Sequence, residues 1–227
     1  MSKFLMVVVL ALGCMASHAA TYSYTGTNYT TFTFRTPPCG TGSCADYTAA
    51  MRVQGTFTTA APLAPNMGFQ DLTPLVTAFS FSDGIQTFSS GDPLVRLYMI
   101  RGGTDAAGTI TNFDFIAQRW QTAAPHAFGD RVDFVTANDN MSVGDHNLSC
   151  TAVGPSANGT LDTCTTSAAD TDYSNGFELS GALPVLAAAP PAVAGPVSVP
   201  TLGELGLWLL MAVMAGLGLA ATRNRVR

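Results

Sequence analysis

The sequence predicts an all-β domain of the sandwich or jelly-roll kind, exported across a membrane and followed by one C-terminal transmembrane helix. Three observations predict it. Short runs alternating apolar and polar residues recur along 51–136, separated by Gly, Pro, Asp and Asn, and none carries a convincing helical period. Unbroken apolar segments stand near both ends, at 4–13 and 205–222. Residues 20–180 carry four cysteines, Cys39, Cys44, Cys150 and Cys164, and exported proteins use even numbers of cysteines for disulfides.

At the N-terminal end, Lys3 supplies a positive charge ahead of the apolar segment 4–13, which is too short to span a bilayer. Ser17 and Ala19 place small residues where a signal peptidase reads. Residues 1–19 are therefore expected to be a signal peptide, with the mature chain beginning at Ala20 or Thr21. Lipidation at Cys14 is the lesser alternative, because Leu12 is bulky where a small residue is preferred.

The strands follow. Residues 51–58 alternate, with Met51, Val53 and Phe57 on one face. Residues 75–82 place Leu75, Phe79 and Phe81 together. Asp83-Gly84 then leads into 85–88, and Asp-Gly between alternating runs predicts a type I′ hairpin, whose two central residues both need positive φ. Residues 94–100 and 109–120 form a second candidate hairpin around Gly102, Gly103 and Gly108, and 131–136 give a further strand. The ectodomain is expected over 20–180. Residues 181–198, rich in Ala and Pro and free of charge, read as an extended stalk. Local cysteine pairing is favoured, Cys39 with Cys44 and Cys150 with Cys164, since glycines between each pair permit tight turns.

All fifteen acids lie between Ala20 and Glu204 with six arginines, a net charge of −9, and the sole lysine is Lys3. Such a surface repels phosphate backbones, which argues against nucleic acid as a partner.

Motifs for chemistry are sparse. His126 and His146 are the histidines left after signal removal; both read as loop residues, more often solvated than catalytic, and no Gly-x-Ser-x-Gly elbow is present. Asp130 and Asp133 are one possible carboxylate pair. Asp170, Asp172, Asn175 and Glu178, around Gly176, form the best calcium candidate, set against an ordinary Asx-rich turn. Tyr22, Tyr24, Tyr29 and Trp120 are the aromatics available for stacking on sugars, although Tyr22 and Tyr24 share a strand face that also suits the core. No cofactor is expected.

The tail is more specific. Residues 205–222 carry no charge, and eighteen helical residues rise about 27 Å, near the hydrocarbon thickness of a bilayer. Arg223, Arg225 and Arg227 follow, which predicts a C-terminus inside and an ectodomain outside. Val199, Pro200, Thr201 and Leu202 stand just before the span, with Gly206 close behind. This order of box, span and basic tail resembles the IPTL-type C-terminal sorting signal of Gram-negative bacteria. Val199 replaces the usual Ile, and Leu205 stands where that signal has Trp. The resemblance implies handling by an exosortase-type enzyme of the cytoplasmic membrane, for which 199–206 would be substrate. Residues 55–88 also loosely resemble a domain of exosortase-sorted proteins that has no assigned activity.

Together these readings point to a non-enzymatic protein of the cell surface or extracellular matrix, with extracellular polysaccharide as a candidate partner. A carbohydrate-binding module is the alternative. Sugar binding expects exposed coplanar aromatics, an enzyme expects a cleft where His126 or His146 meets a carboxylate, and a purely structural role expects neither.

Overall fold

The computed structural model describes residues 18–187. Nearly all of the expected signal peptide, the remainder of the stalk, the motif residues Val199, Pro200, Thr201, Leu202 and Gly206, the expected transmembrane helix, and Arg223, Arg225 and Arg227 lie outside the described residues.

The described residues form strands and no helix, so no helix among them is long and apolar enough to cross a membrane. One sheet has five strands in the order β13 (Val185–Leu186), β1 (Ala20–Asn28), β3 (Arg52–Thr59), β5 (Val76–Ser82) and β6 (Thr87–Ser89). The other runs β2 (Thr31–Thr33), β12 (Ser174–Glu178), β10 (Ser142–Gly154), β9 (Arg131–Asn138), β8 (Ile110–Trp120), β7 (Val95–Thr104) and β4 (Gln70–Asp71). The strand β11 (Thr163–Ala168) pairs with β10 off this path. Every pairing is antiparallel and neither sheet closes on itself.

Alternation explains the packing. Tyr22 and Tyr24 of β1, Val53 and Phe57 of β3, and Phe79 and Phe81 of β5 point to one side and are buried. They meet Phe113, Phe115 and Ala117 of β8 and Val135 and Ala137 of β9 in one cluster. Aromatic rings tie the two sheets together: Phe57 to Phe113 at 5.6 Å, Tyr24 to Phe113 at 6.0 Å, and Phe81 stacked on Phe115 at 3.9 Å. Ring pairs of this kind contribute about 0.5–1.5 kcal/mol each beyond the area they bury.

The outer face of β8 is also covered. Trp120, Val132, Leu148 and the bonded pair Cys150 and Cys164 form a second, smaller core, packed by Phe134, Val153 and Tyr173. Trp120 donates its indole N–H to the Asp162 carbonyl at 2.9 Å, which seats the β10–β11 connection on this face. Both expected local cysteine pairs lie at disulfide distance, with Cα separations of 6.0 Å for Cys39–Cys44 and 5.7 Å for Cys150–Cys164.

Four sequence expectations change. Leu75 is exposed and precedes β5; a register shift opposite Thr58 and Thr59 turns Val76 inward in its place. Asp83-Gly84 does not build a type I′ turn, since Gly84 has φ +99° and Asp83 is not among the residues of positive φ. The β5–β6 loop is instead wound around the Asp83 carboxylate, which accepts the amides of Ile85 at 2.9 Å and Gln86 at 2.8 Å. Gly102 and Gly103 belong to β7, and the turn to β8 lies at 105–109. Finally, the start of the expected stalk belongs to the fold: β13 pairs with β1, Tyr22 opposite Leu186 and Ser23 opposite Val185.

Candidate functional site

Buried polar side chains gather at one end of the main core, and a bulge in β10 brings them together. Asp145 stands opposite Phe134 and Leu148 opposite Val132, so His146 and Asn147 together face Asp133. Asn147 adopts φ +64°, a conformation that Asn tolerates better than most residues. The bulge sets His146 Nδ1 3.0 Å from Asp133 Oδ1, with both side chains almost fully buried. Asp133 Oδ1 also accepts the Asn147 amide at 2.7 Å and Gln121 Nε2 at 2.9 Å.

These contacts decide the ionisation of the pair. Burial alone would raise the Asp133 carboxyl, but the neighbouring His146 and the hydrogen bond from the Asn147 amide outweigh it and hold Asp133 below the usual range. Burial would likewise lower His146, but Asp133 beside it raises its pKa above the ordinary 6.5. Asp83 lies close by and is fully buried. It accepts Tyr47 Oη at 2.6 Å, and its carbonyl accepts Tyr29 Oη at 3.0 Å. Here burial dominates and pushes Asp83 up despite those bonds. The Tyr47 ring fits because residue 144 is glycine; a Cβ there would lie 2.7 Å from the ring.

The Cys39–Cys44 loop covers this end. Asp172 accepts Gly40 N at 2.9 Å, Thr41 N at 2.8 Å and Thr41 Oγ1 at 2.9 Å. Ser43 N donates to Gln121 Oε1 at 2.7 Å, and Asn147 Nδ2 donates to Thr41 O at 2.9 Å. Arg131 hydrogen-bonds Thr41 Oγ1 and pairs with Asp170 at 2.7 Å. A recess of about 410 Å³ opens beside the loop, lined by Thr41, Ser43, Gln121, Thr122 and Arg131 among others. One network thus joins the disulfide loop, the bulge and the buried His146–Asp133 pair.

The sequence-derived candidates fare differently. The four calcium candidates do not converge. Asp172 holds the disulfide loop, Asp170 pairs with Arg131, Asn175 donates to Asp145 at 2.9 Å, and Glu178 accepts Thr30 Oγ1 at 2.6 Å. The strand β12 begins at Ser174, so Asn175 and Glu178 project from a strand rather than from a chelating loop. Cys39, Cys44 and Asp172 place ligand atoms within 4.8 Å of one another, but the sulfurs are bonded together and Asp172 is occupied by loop amides.

Neither histidine is a solvated loop residue. His146 sits in β10, and His126 is buried, stacked on Trp120 at 4.1 Å, with Nδ1 2.8 Å from Asp162 and Nε2 2.9 Å from Thr122 O. Asp130 and Asp133 are not a pair, since Asp130 accepts the Ala127 amide while Asp133 faces inward. Tyr22, Tyr24, Tyr29 and Trp120 are all core residues, so none offers a stacking platform. The sequence did not reveal Gln121, Asn147, Asp162 or Tyr47 as partners, because each acts through contacts distant along the chain.

Comparison with known proteins adds one finding. Residues 197–225 match the IPTL-CTERM motif. No curated protein matches the chain and no solved structure does, so nothing among them supports the resemblance noted for 55–88. The motif marks substrates of exosortase, a membrane enzyme, and its match agrees with the box at Val199, Pro200, Thr201 and Leu202. The chain therefore carries an exosortase-associated C-terminal sorting domain.

Proposed function

We propose that this is a non-enzymatic surface or matrix protein of a Gram-negative envelope. A signal peptidase removes residues 1–19, and the tail holds the chain in the cytoplasmic membrane with its C-terminus inside until an exosortase-type enzyme acts on it. The observation that carries the reading is the sorting-motif match at 197–225. The ectodomain is consistent with it. Its two local disulfides suit an oxidising compartment, and its His146–Asp133 pair is buried in packing, while His126 is buried against Trp120 with the partly exposed Asp162.

The sorting step has a direct test. Pro200 has a fixed φ and no N–H and disfavours helical backbone at the residue before it, so the box is expected to be read by the enzyme as an extended segment rather than as part of the span. A passive anchor needs only hydrophobicity and flanking positive charge. The double substitution Pro200→Ala and Thr201→Ala leaves both intact. In the native host, immunoblotting of fractionated cells should show the variant accumulating as a full-length membrane form. Identical mass and fractionation for variant and parent would leave only the anchor. A second reading, a carbohydrate-binding surface module, draws support from a groove on the outer face of the larger sheet.

A further inference from the structure

That groove lies where the β11 ribbon rises from the sheet. Two irregularities shape it. Beyond the Asn147 bulge, β10 changes face and carries β11 over the outer surface. In β7, a register shift between Leu97 and Met99 turns Tyr98 outward beside Ile116, a known use of bulges. The result is a groove of about 230 Å³ with Tyr98, Phe134 and Thr136 on the sheet side and Thr166 and Ser167 on the ribbon.

Asp145 supplies its one carboxyl group, whose pKa burial raises despite the bonds it accepts. It shares a row with Phe134 and Asn175, and lines the groove. Tyr173 Oη at 2.6 Å and Asn175 Nδ2 at 2.9 Å both donate to Oδ1. These two bonds orient the carboxylate and leave Oδ2 for something else. Among the described residues, no lysine or arginine lines the groove. Four hydroxyl-bearing residues, Tyr98, Thr136, Thr166 and Ser167, also line it, and among the described residues their hydroxyls make no hydrogen bond.

The chemistry of this lining narrows the ligand. An anion finds no basic residue in the lining and meets a domain that is already acidic. Calcium requires six to eight oxygens, commonly with several carboxylates, and the groove offers one carboxylate. An ammonium suits Asp145 but leaves the row of hydroxyls unmatched. A neutral sugar matches all of it. Its hydroxyls can hydrogen-bond Oδ2 and the hydroxyl-bearing residues of the lining, and its C–H face can lie on the Tyr98 and Phe134 rings. The volume is below that of pockets for drug-sized ligands and accommodates a single ring.

We infer that this groove is a binding site for one ring of a neutral glycan, with Asp145 as the orienting acceptor and Tyr98 and Phe134 as the apolar floor. The site does not involve the aromatics first considered for this role, all of which are in the core. The inference goes beyond the sorting reading and does not depend on it, since binding is measured on purified protein whatever the fate of the tail.

The test uses the full-length chain in detergent, applied to arrays of neutral hexose oligosaccharides, glucosamine oligomers and uronate oligomers. Retention of a neutral oligosaccharide is expected, with a Kd on the order of millimolar for a single-ring contact. Titration calorimetry then compares Tyr98→Ala and Thr166→Arg with the parent. Thr166 is exposed, so the arginine fills the groove without disturbing the core, and it keeps the test decisive if Tyr98→Ala folds poorly. Either change should weaken binding about tenfold or more. Phe34→Ala, at an exposed aromatic outside the groove, should leave it unchanged. Retention of glucosamine or uronate oligomers alone, no retention of any neutral oligosaccharide at millimolar concentration, or equal binding by the parent and Thr166→Arg would each overturn the assignment.

Discussion

At the scale of single residues, Asp133 and His146 make the clearest commitment. Their contacts favour the doubly ionised pair, lowering the acid's pKa and raising the base's. The sign follows from linkage. Asp133 contributes stability above its unfolded value, and that contribution is lost as pH falls through its depressed folded value. His146 contributes below its ordinary 6.5, and that contribution is lost as pH rises through its raised folded value. Asp133→Asn removes the partner and leaves His146 buried beside a neutral amide, where burial disfavours its charged form. Breaking a buried pair on one side typically costs about 3–5 kcal/mol. Melting temperatures measured across mildly acidic to mildly alkaline pH should show the variant losing further stability on acidification below neutrality, where the parent holds steady. A uniform offset at every pH would mean that the pair is not ionised in the folded protein.

At the scale of elements, the second core shows what alternation reveals and what it hides. The strands β3, β5 and β8 were visible because one of their faces is apolar. The strand β10 was not, because its buried positions include His146, Asn147 and Cys150 and switch sides at the bulge. The same switch hid the polar cluster: no pattern in the sequence places Asp133 opposite two consecutive residues. The Asp-Gly turn failed for a related reason, since Tyr47 draws the Asp83 side chain inward and the loop forms around it. The cysteine spacing, by contrast, was readable because each pair lies within one local connection. Replacing Cys150 and Cys164 together by serine opens a fifteen-residue loop, whose closure is worth about 3 kcal/mol on the chain-entropy model. The urea midpoint should fall accordingly. Trp120, packed in the same cluster, should show partly exposed fluorescence before the global transition. An unchanged midpoint would mean that packing, not the bridge, holds the ribbon on the sheet.

At the scale of the whole molecule, two open sheets share one aromatic core, and the pairings that define them are mostly long-range. The strand β2 pairs with β12, and β1 is flanked by β3 and by β13, the last strand described. No short sequence window contains that information, which is why the fold class was legible and the strand order was not. The closure by β13 carries a further consequence. The Ala187 amide donates to the Thr21 carbonyl at 2.8 Å, so the domain's entrance and exit lie one strand spacing apart at the same sheet edge. A circularly permuted domain is therefore within reach. A Gly/Ser linker of about five residues bridges 187 to 20 without strain. New ends can be opened between Ala106 and Ala107, in the exposed turn from β7 to β8. Such a permutant should keep both disulfides by mass mapping and melt within a few degrees of the unpermuted domain. Its ends would lie in the turn from β7 to β8 rather than beside β13, so the domain could be tethered and displayed from there.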